Sequence, residues 1–312
     1  MGSTSGLART YAAVVKSLFF SALIATLALG ISIGTGSSAK SSSATRLASV
    51  HSFALAIGDR TLMGNLNKRY ASFDLVVVDG ESARARDVTA IHRASGGLVF
   101  AYLDVVTIES YRGWYNAAKP FRLDYWGDWG EWYANVNAAG FRSLMLKRVA
   151  PKMLAKGFDG LFLDNTDMTE THPAQKRGMR ALVAGLSRLL RARGKLLMAQ
   201  NGAGVNWPLR RFYNGINFED VSFSYDFDRR AYVRRGAGEV ARAQREIRRY
   251  LSAGLKVTAT DYVAAGKTKQ ARIAVRNACS AGALPYVSDI YLKRIPAQPF
   301  LCDWPLTRRT WI

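Results

Sequence analysis

Residues 158–167 read Phe-Asp-Gly-Leu-Phe-Leu-Asp-Asn-Thr-Asp, a short apolar run punctuated by glycine and closed by a cluster of acids. Such a run fits a strand buried on both faces of a parallel sheet. The carboxylates of Asp164 and Asp167 arrive where that strand leaves the core. An acid there adds nothing to packing, so it needs a partner or a task. Residues 73–79, Phe-Asp-Leu-Val-Val-Val-Asp, repeat the design and place Asp79 six residues after the phenylalanine. Two such units imply a repeating β/α architecture with its polar groups gathered at one end of the strands, as in an enzyme barrel.

Eight strand candidates follow in order, over residues 52–57, 73–79, 97–105, 158–164, 195–200, 215–219, 255–261 and 284–289. Helical spacing of apolar residues appears at 61–70, 85–94, 174–193, 239–252 and 269–280. Gly157, Gly194, Gly254 and Gly282 each stand just before a strand, where a helix C-cap hands the chain to the next strand. Strands alternating with helices demand a parallel sheet, and eight such units close into a (β/α)8 barrel of the TIM type. A doubly wound open sheet is the alternative, weakened because no glycine-rich phosphate loop follows the first strand.

The 312 residues suffice for one such domain, taken as 48–312, behind a leader and linker at 1–47. The first 45 residues contain no acid. Arg9 and Lys16 precede an apolar run at 17–33 and a serine-rich stretch at 37–45, the order of a secretory signal peptide or an uncleaved membrane anchor. Either one exports the domain, to a secreted or periplasmic location. Export permits a disulfide, and the two cysteines, Cys279 and Cys302, read equally well as a bridge holding the C-terminal tail or as two separate buried thiols. His51, His92 and His172 are scattered, so no metal site is expected, and no cofactor is called for. The formal net charge is +21. Solvated outer helix faces account for it, as would adhesion to an anionic membrane or cell-wall surface; no nucleic-acid module accompanies the charge.

The strand ends are far more acidic than the body. Asp79, Asp104, Asp164, Glu219, Asp261 and Asp289 end six strands, in a chain with 44 basic and 23 acidic residues. Tyr102, Asp167, Asn201 and Tyr262 join them as candidate substrate-binding groups. The loop after the third strand is dense in Trp and Tyr, including Trp126, Trp129 and Trp132, which suits stacking on sugar rings or the core of a long loop. Two carboxylates across a pocket are the minimum apparatus for glycoside hydrolysis. Asp164 on the fourth strand and Glu219 on the sixth are placed to face one another. Asp74 and Asp159, at strand starts, read as turn residues of the opposite face.

The order of Phe73-Asp74 through Asp79, Ala101-Tyr102-Leu103-Asp104, Gly157-Phe158-Asp159-Gly160 into Asp164-Asn165-Thr166-Asp167, Gln200-Asn201-Gly202 and Ile216-Asn217-Phe218-Glu219 resembles glycoside hydrolase family 114, the endo-α-1,4-polygalactosaminidase-like barrels. The resemblance spans about residues 50–295. It implies a retaining endo-hydrolase of an exopolysaccharide containing galactosamine or N-acetylgalactosamine, with Asp164 as nucleophile and Glu219 as acid/base. Departures fall at Asp104, where a smaller residue is expected, at Asp220-Val221-Ser222-Phe223, and in a first strand poor in aromatics. Two other readings are carried. One is a catalytically silent barrel that binds glycan or serves the cell envelope. The other is a metal-assisted phosphodiesterase using Asp79, Asp164 and Asp261.

Overall fold

The computed structural model describes residues 42–58 and 68–302. The apolar run at 17–33 and most of the helix expected at 61–70 lie outside them. Eight parallel strands make one sheet in sequential order: β1 (Phe53–Leu55), β2 (Leu75–Asp79), β3 (Leu98–Asp104), β4 (Gly160–Asp164), β5 (Leu196–Gln200), β6 (Gly215–Glu219), β7 (Lys256–Tyr262) and β8 (Leu284–Ser288). All eight match the expected segments. Last and first strands meet at a seam where the Phe53 and Tyr286 rings lie edge to face at 5.8 Å. The Gly58 N–H also donates to the Leu292 carbonyl at 3.3 Å, and the sheet rolls into a (β/α)8 barrel.

The strands are short because each is packed on both faces, against the barrel interior and the helix ring. Leu75 to Val78 have no exposed surface at all. The interior leaves little room at Gly160, where a Cβ would meet the Leu196 carbonyl oxygen at 2.5 Å and the Phe100 ring at 2.7 Å. At the strand ends Asp79 pairs with Tyr102, Asp104 with Asp164, and Glu219 with Thr260.

Helices Ala85–Ser95, Lys176–Arg191, Ala237–Ser252 and Thr268–Ala281 form part of the outer ring, close to the expected positions. The helix entering β4 runs from Ala139 to Leu154 and widens to π pitch over Met145–Val149, just before Pro151 removes a backbone donor. Gly254 and Gly282 end their helices at φ of 82° and 90°, a left-handed turn that costs glycine little. A short helix, Ser43–Ala48, lies across the barrel base, tied there by Lys256 Nζ donating to the Ala48 and Val50 carbonyls, both at 2.9 Å.

Two insertions rise from the mouth. After β3 comes a three-stranded antiparallel ribbon of Thr107–Ile108, Arg122–Trp126 and Glu131–Ala134. After β6 comes a hairpin of Phe223–Asp226 and Ala231–Arg234. The C-terminal tail packs Phe300 against Val263, Val275 and Val287, and Cys302 is bridged to Cys279 with Cα atoms 5.3 Å apart. The cysteine alternatives thus resolve to a disulfide. Among the described residues no helix is long and apolar enough to cross a membrane.

Candidate active site

The mouth opens into a cavity of about 480 Å³, within the roughly 300–1,000 Å³ common for ligand pockets. Asp164, the last residue of β4, stands in its floor because Asn165 turns the chain sharply at φ 55°. One Asp164 oxygen accepts the Tyr102 hydroxyl. The other accepts Gln200 Nε2 at 2.9 Å and the Asn165 N–H at 2.7 Å. Gln200 is in turn oriented from behind. Asn217 Nδ2 donates to its Oε1 at 3.2 Å, and Asn217 Oδ1 accepts the Thr258 and Thr260 hydroxyls at 2.8 and 3.1 Å. Every group in that chain is buried, so its geometry is set by the barrel interior.

Glu219 ends β6 and shares the cavity. Tyr262 donates its hydroxyl to one oxygen, and Asn201 Nδ2 donates to the other at 2.7 Å. Asn201 Oδ1 takes the Glu219 N–H at 2.9 Å, so a single amide fixes both the backbone and the side chain. The two carboxyl groups thus have matching settings, each with one tyrosine and one amide.

Burial dominates the electrostatics. It pushes Asp164 up to about 7, helped by the charge of Asp104 and opposed by the Tyr102 and Asn165 donors. Burial, then the charges of Asp164 and Asp220, push Glu219 up to about 8 against the donors Tyr262 and Asn201. Both tyrosines are held well above their ordinary value, by burial and then by the adjacent carboxylate, and so stay neutral donors.

The remaining candidates divide. Asp79, Tyr102, Asp104, Asp167, Asn201 and Tyr262 line the same cavity. Burial raises Asp79, but the charge and hydrogen bond of Arg112, at 2.7 Å, together with backbone donors leave it below its ordinary value. Asp104 braces the start of the ribbon, accepting the Val106 and Thr107 N–H groups at 3.0 and 2.8 Å. Burial lifts Asp167 to about 6.

Asp261 and Asp289 do not line the cavity. Successive strand side chains point to opposite faces, so where Tyr262 faces the mouth its neighbour Asp261 faces outward. There it is 1% exposed and accepts the Ser222 and Phe223 N–H groups at 2.6 and 2.7 Å, pinning the hairpin. Asp289 sits one residue past β8 and closes a turn through the Tyr291 and Arg294 N–H groups, both at 2.9 Å. Asp79, Asp164 and Asp261 therefore do not converge as a metal-binding trio. Among the described residues no cluster of His, Cys, Asp and Glu is arranged to hold a metal ion. At the barrel base, Asp74 accepts the His51 and Ser52 N–H groups and Asp159 the Val99 N–H, the turn roles expected of both.

Several cavity residues were not singled out from sequence. Gln200 lines the cavity beside the expected Asn201. Glu109, Arg112 and Glu131 come from the ribbon, and Asp220 from the hairpin base. Burial, then the charges of Asp104 and Glu109, push Glu131 up to about 8. Trp126 and Trp129 form one aromatic wall, with Trp126 stacked on Tyr133 at 5.3 Å. Trp129 meets Phe227 of the hairpin edge to face at 5.2 Å, which joins the two insertions beside the cavity. An acidic, aromatic-walled cleft with two environment-shifted carboxyl groups has the equipment for acid/base chemistry on a sugar.

A model of glycoside-hydrolase family GH114 matches residues 35–302. The chain belongs to family GH114 and is a glycoside hydrolase. A protein of Deinococcus radiodurans described as uncharacterized is 28% identical over 243 residues, 72% of this chain and 75% of its own length. Among solved structures, the glycoside hydrolase domain of PelA from Pseudomonas aeruginosa superposes with a TM-score of 0.66 at 22% identity, covering 79% of this chain and 97% of its own. Aspergillus fumigatus Ega3, solved in complex with galactosamine, gives a TM-score of 0.59 at 16% identity over 78% of this chain and 93% of its own. At those identities the two structures establish the fold that this GH114 chain shares with them.

Proposed function

We propose that this protein is an exported GH114 hydrolase that cleaves a galactosamine-containing polysaccharide by retention, with Asp164 as nucleophile and Glu219 as acid/base. The observation that carries the reading is the pairing of these two half-buried carboxyls in one cavity, each with its own tyrosine and amide. Burial and the charge of Asp164 raise the proton affinity of Glu219, which suits it to hold a proton for the glycosidic oxygen. Asp164 has three donors directed at its carboxylate, which stabilise the ionised form that attacks the anomeric carbon. In the second step Glu219, now ionised, removes a proton from the water that releases the sugar. Support for an amino sugar comes from the acidic lining and from the galactosamine bound in the Ega3 structure.

Export is supported by the N-terminal basic and apolar pattern and by the Cys279–Cys302 bridge. The expected division into leader and linker at 1–47 and catalytic domain at 48–312 is kept, except that the Ser43–Ala48 helix, packed on the barrel base, goes with the domain. The test is reducing-end release from galactosamine, N-acetylgalactosamine and uronic-acid polymers by wild type, Glu219→Gln and Asp164→Asn. Cleavage of an amino-sugar polymer by wild type alone is expected. Cleavage that survives in both variants would place the chemistry elsewhere, and retained binding without cleavage would favour the silent barrel.

A further inference from the structure

Charge is distributed along the barrel axis, not uniformly over the surface. The mouth cavity is lined by eight carboxyl residues and two basic ones. The opposite end has the reverse character. In the turns that carry the chain from helix to strand at the base, the acids among the described residues are Asp74 and Asp159. Neither offers free charge. Asp74 accepts two backbone N–H groups, and Asp159 accepts one while lying 3.6 Å from Arg46 and 3.4 Å from His92.

Around them stand Arg93 at the end of its helix, Arg191 and Arg193 before β5, and Arg211 before β6, all exposed. Helix Lys176–Arg191, which ends in this group, contains no acid. Arg210, Arg211 and Lys256 also line a groove of about 710 Å³ with Leu47, Leu251 and Leu255, and the Ser43–Ala48 helix forms one side of it. The chain enters the barrel here: only residues 34–42 separate this helix from the apolar run at 17–33, at most roughly 30 Å of extended backbone.

We propose that the base of the barrel docks on an anionic lipid surface, leaving the acidic mouth turned away from it. Basic side chains gathered on one face are attracted to anionic headgroups over about a Debye length, while acids at the far end are held outside that range. A short connection to an apolar segment favours a membrane over a soluble polyanion, since it keeps the face within reach of the lipid once the segment is embedded. The proposal does not depend on which glycan is cut.

The test uses the full chain and two triple variants with equal changes in charge. Arg93→Glu/Arg193→Glu/Arg211→Glu alters the base. Lys176→Glu/Arg177→Glu/Arg180→Glu alters exposed residues at the mouth end of one helix. Co-sedimentation is measured with phosphatidylglycerol-containing and with pure phosphatidylcholine vesicles, so the contribution of the apolar run is common to all samples. Expected are a preference of wild type for the anionic vesicles that is lost near ~1 M salt, where the Debye length is ~3 Å, and a loss of that preference of about tenfold or more in the base variant alone. Retention by the base variant, or equal loss by both, overturns the proposal. So does equal binding of soluble polyglutamate at matched charge, which would mark the base as a general polyanion surface.

Discussion

Replacing Tyr262 by Phe separates the two carboxyl roles without removing either carboxyl. The ring is 5% exposed and Phe keeps its packing, so the change reduces to loss of the hydroxyl that donates to Glu219. A hydrogen bond to a charged group contributes about 1.5–3 kcal/mol. Its loss falls on the ionised form of Glu219, because a protonated carboxyl accepts more weakly. At about 1.4 kcal/mol per pH unit, the Glu219 titration should move upward by about one to two units from its starting point near 8. If Glu219 is the proton donor, its deprotonation sets the alkaline limb of kcat/KM, and that limb shifts upward in Tyr262→Phe. The acid limb, set by ionisation of Asp164, stays near its wild-type position, since Tyr102 and Gln200 still donate to that group. The assay is kcat/KM against pH on a soluble oligosaccharide for wild type and variant. An unmoved alkaline limb, or an upward shift of the acid limb instead, would refute the assignment, because Glu219 would then be the group required in its ionised form.

Stability should fall with rising pH: Glu219 is raised in the fold from its ordinary 4.5 to about 8, so its contribution is complete below about 4.5 and lost as pH climbs through 8. Tm should therefore decline between those values, and more gently in Glu219→Gln; a flat wild-type profile would contradict the burial argument. Cys302→Ser opens a bridge between residues 23 apart, and chain entropy puts its cost at about 3 kcal/mol, readable as a lower denaturant midpoint. Gly160→Ala forces a methyl against the Leu196 carbonyl and the Phe100 ring and should cost about 1–3 kcal/mol; an unchanged midpoint would show that the barrel interior yields.

The barrel was legible because its strands are apolar runs buried on both faces, and four of them, β4, β5, β7 and β8, also follow a helix-ending glycine. Asp164 and Glu219 were legible for the same reason, as terminal residues of such runs. Asp261 misled because a strand end was read as one position, whereas the pleat sends Asp261 and Tyr262 to opposite faces. Asp289 misled because β8 ends one residue earlier, and the acid closes the following turn. Glu109, Arg112 and Glu131 were beyond reach by strand counting. They belong to an inserted ribbon outside the eight barrel strands, where a tight turn folds Glu131 back opposite Trp126. Gln200 was hidden by its neighbour: two consecutive amides leave β5, and only the Asn217 network shows that both are used.

The positive body and the acidic mouth act at different ranges, which bears on how a cationic amino sugar could be received. A net charge of +21 repels such a polymer at a distance. At physiological salt, however, the Debye length is about 8 Å. A cavity of about 480 Å³ is about 10 Å across if taken as a sphere, so a sugar within it lies inside one screening length of the walls. Those walls present Asp104, Glu131 and Asp167 alongside Asp164 and Glu219, while the arginine-rich helices stand behind the strands at a greater distance. Screening thus removes the repulsion of the body before it removes the attraction of the mouth. Burial raises Glu131 and Asp167 as it does Asp164 and Glu219, so the attraction strengthens as each of these loses its proton. Glu219 is the exception in its use: the proposed chemistry needs its proton retained, and the charge of Asp164 helps to keep it there.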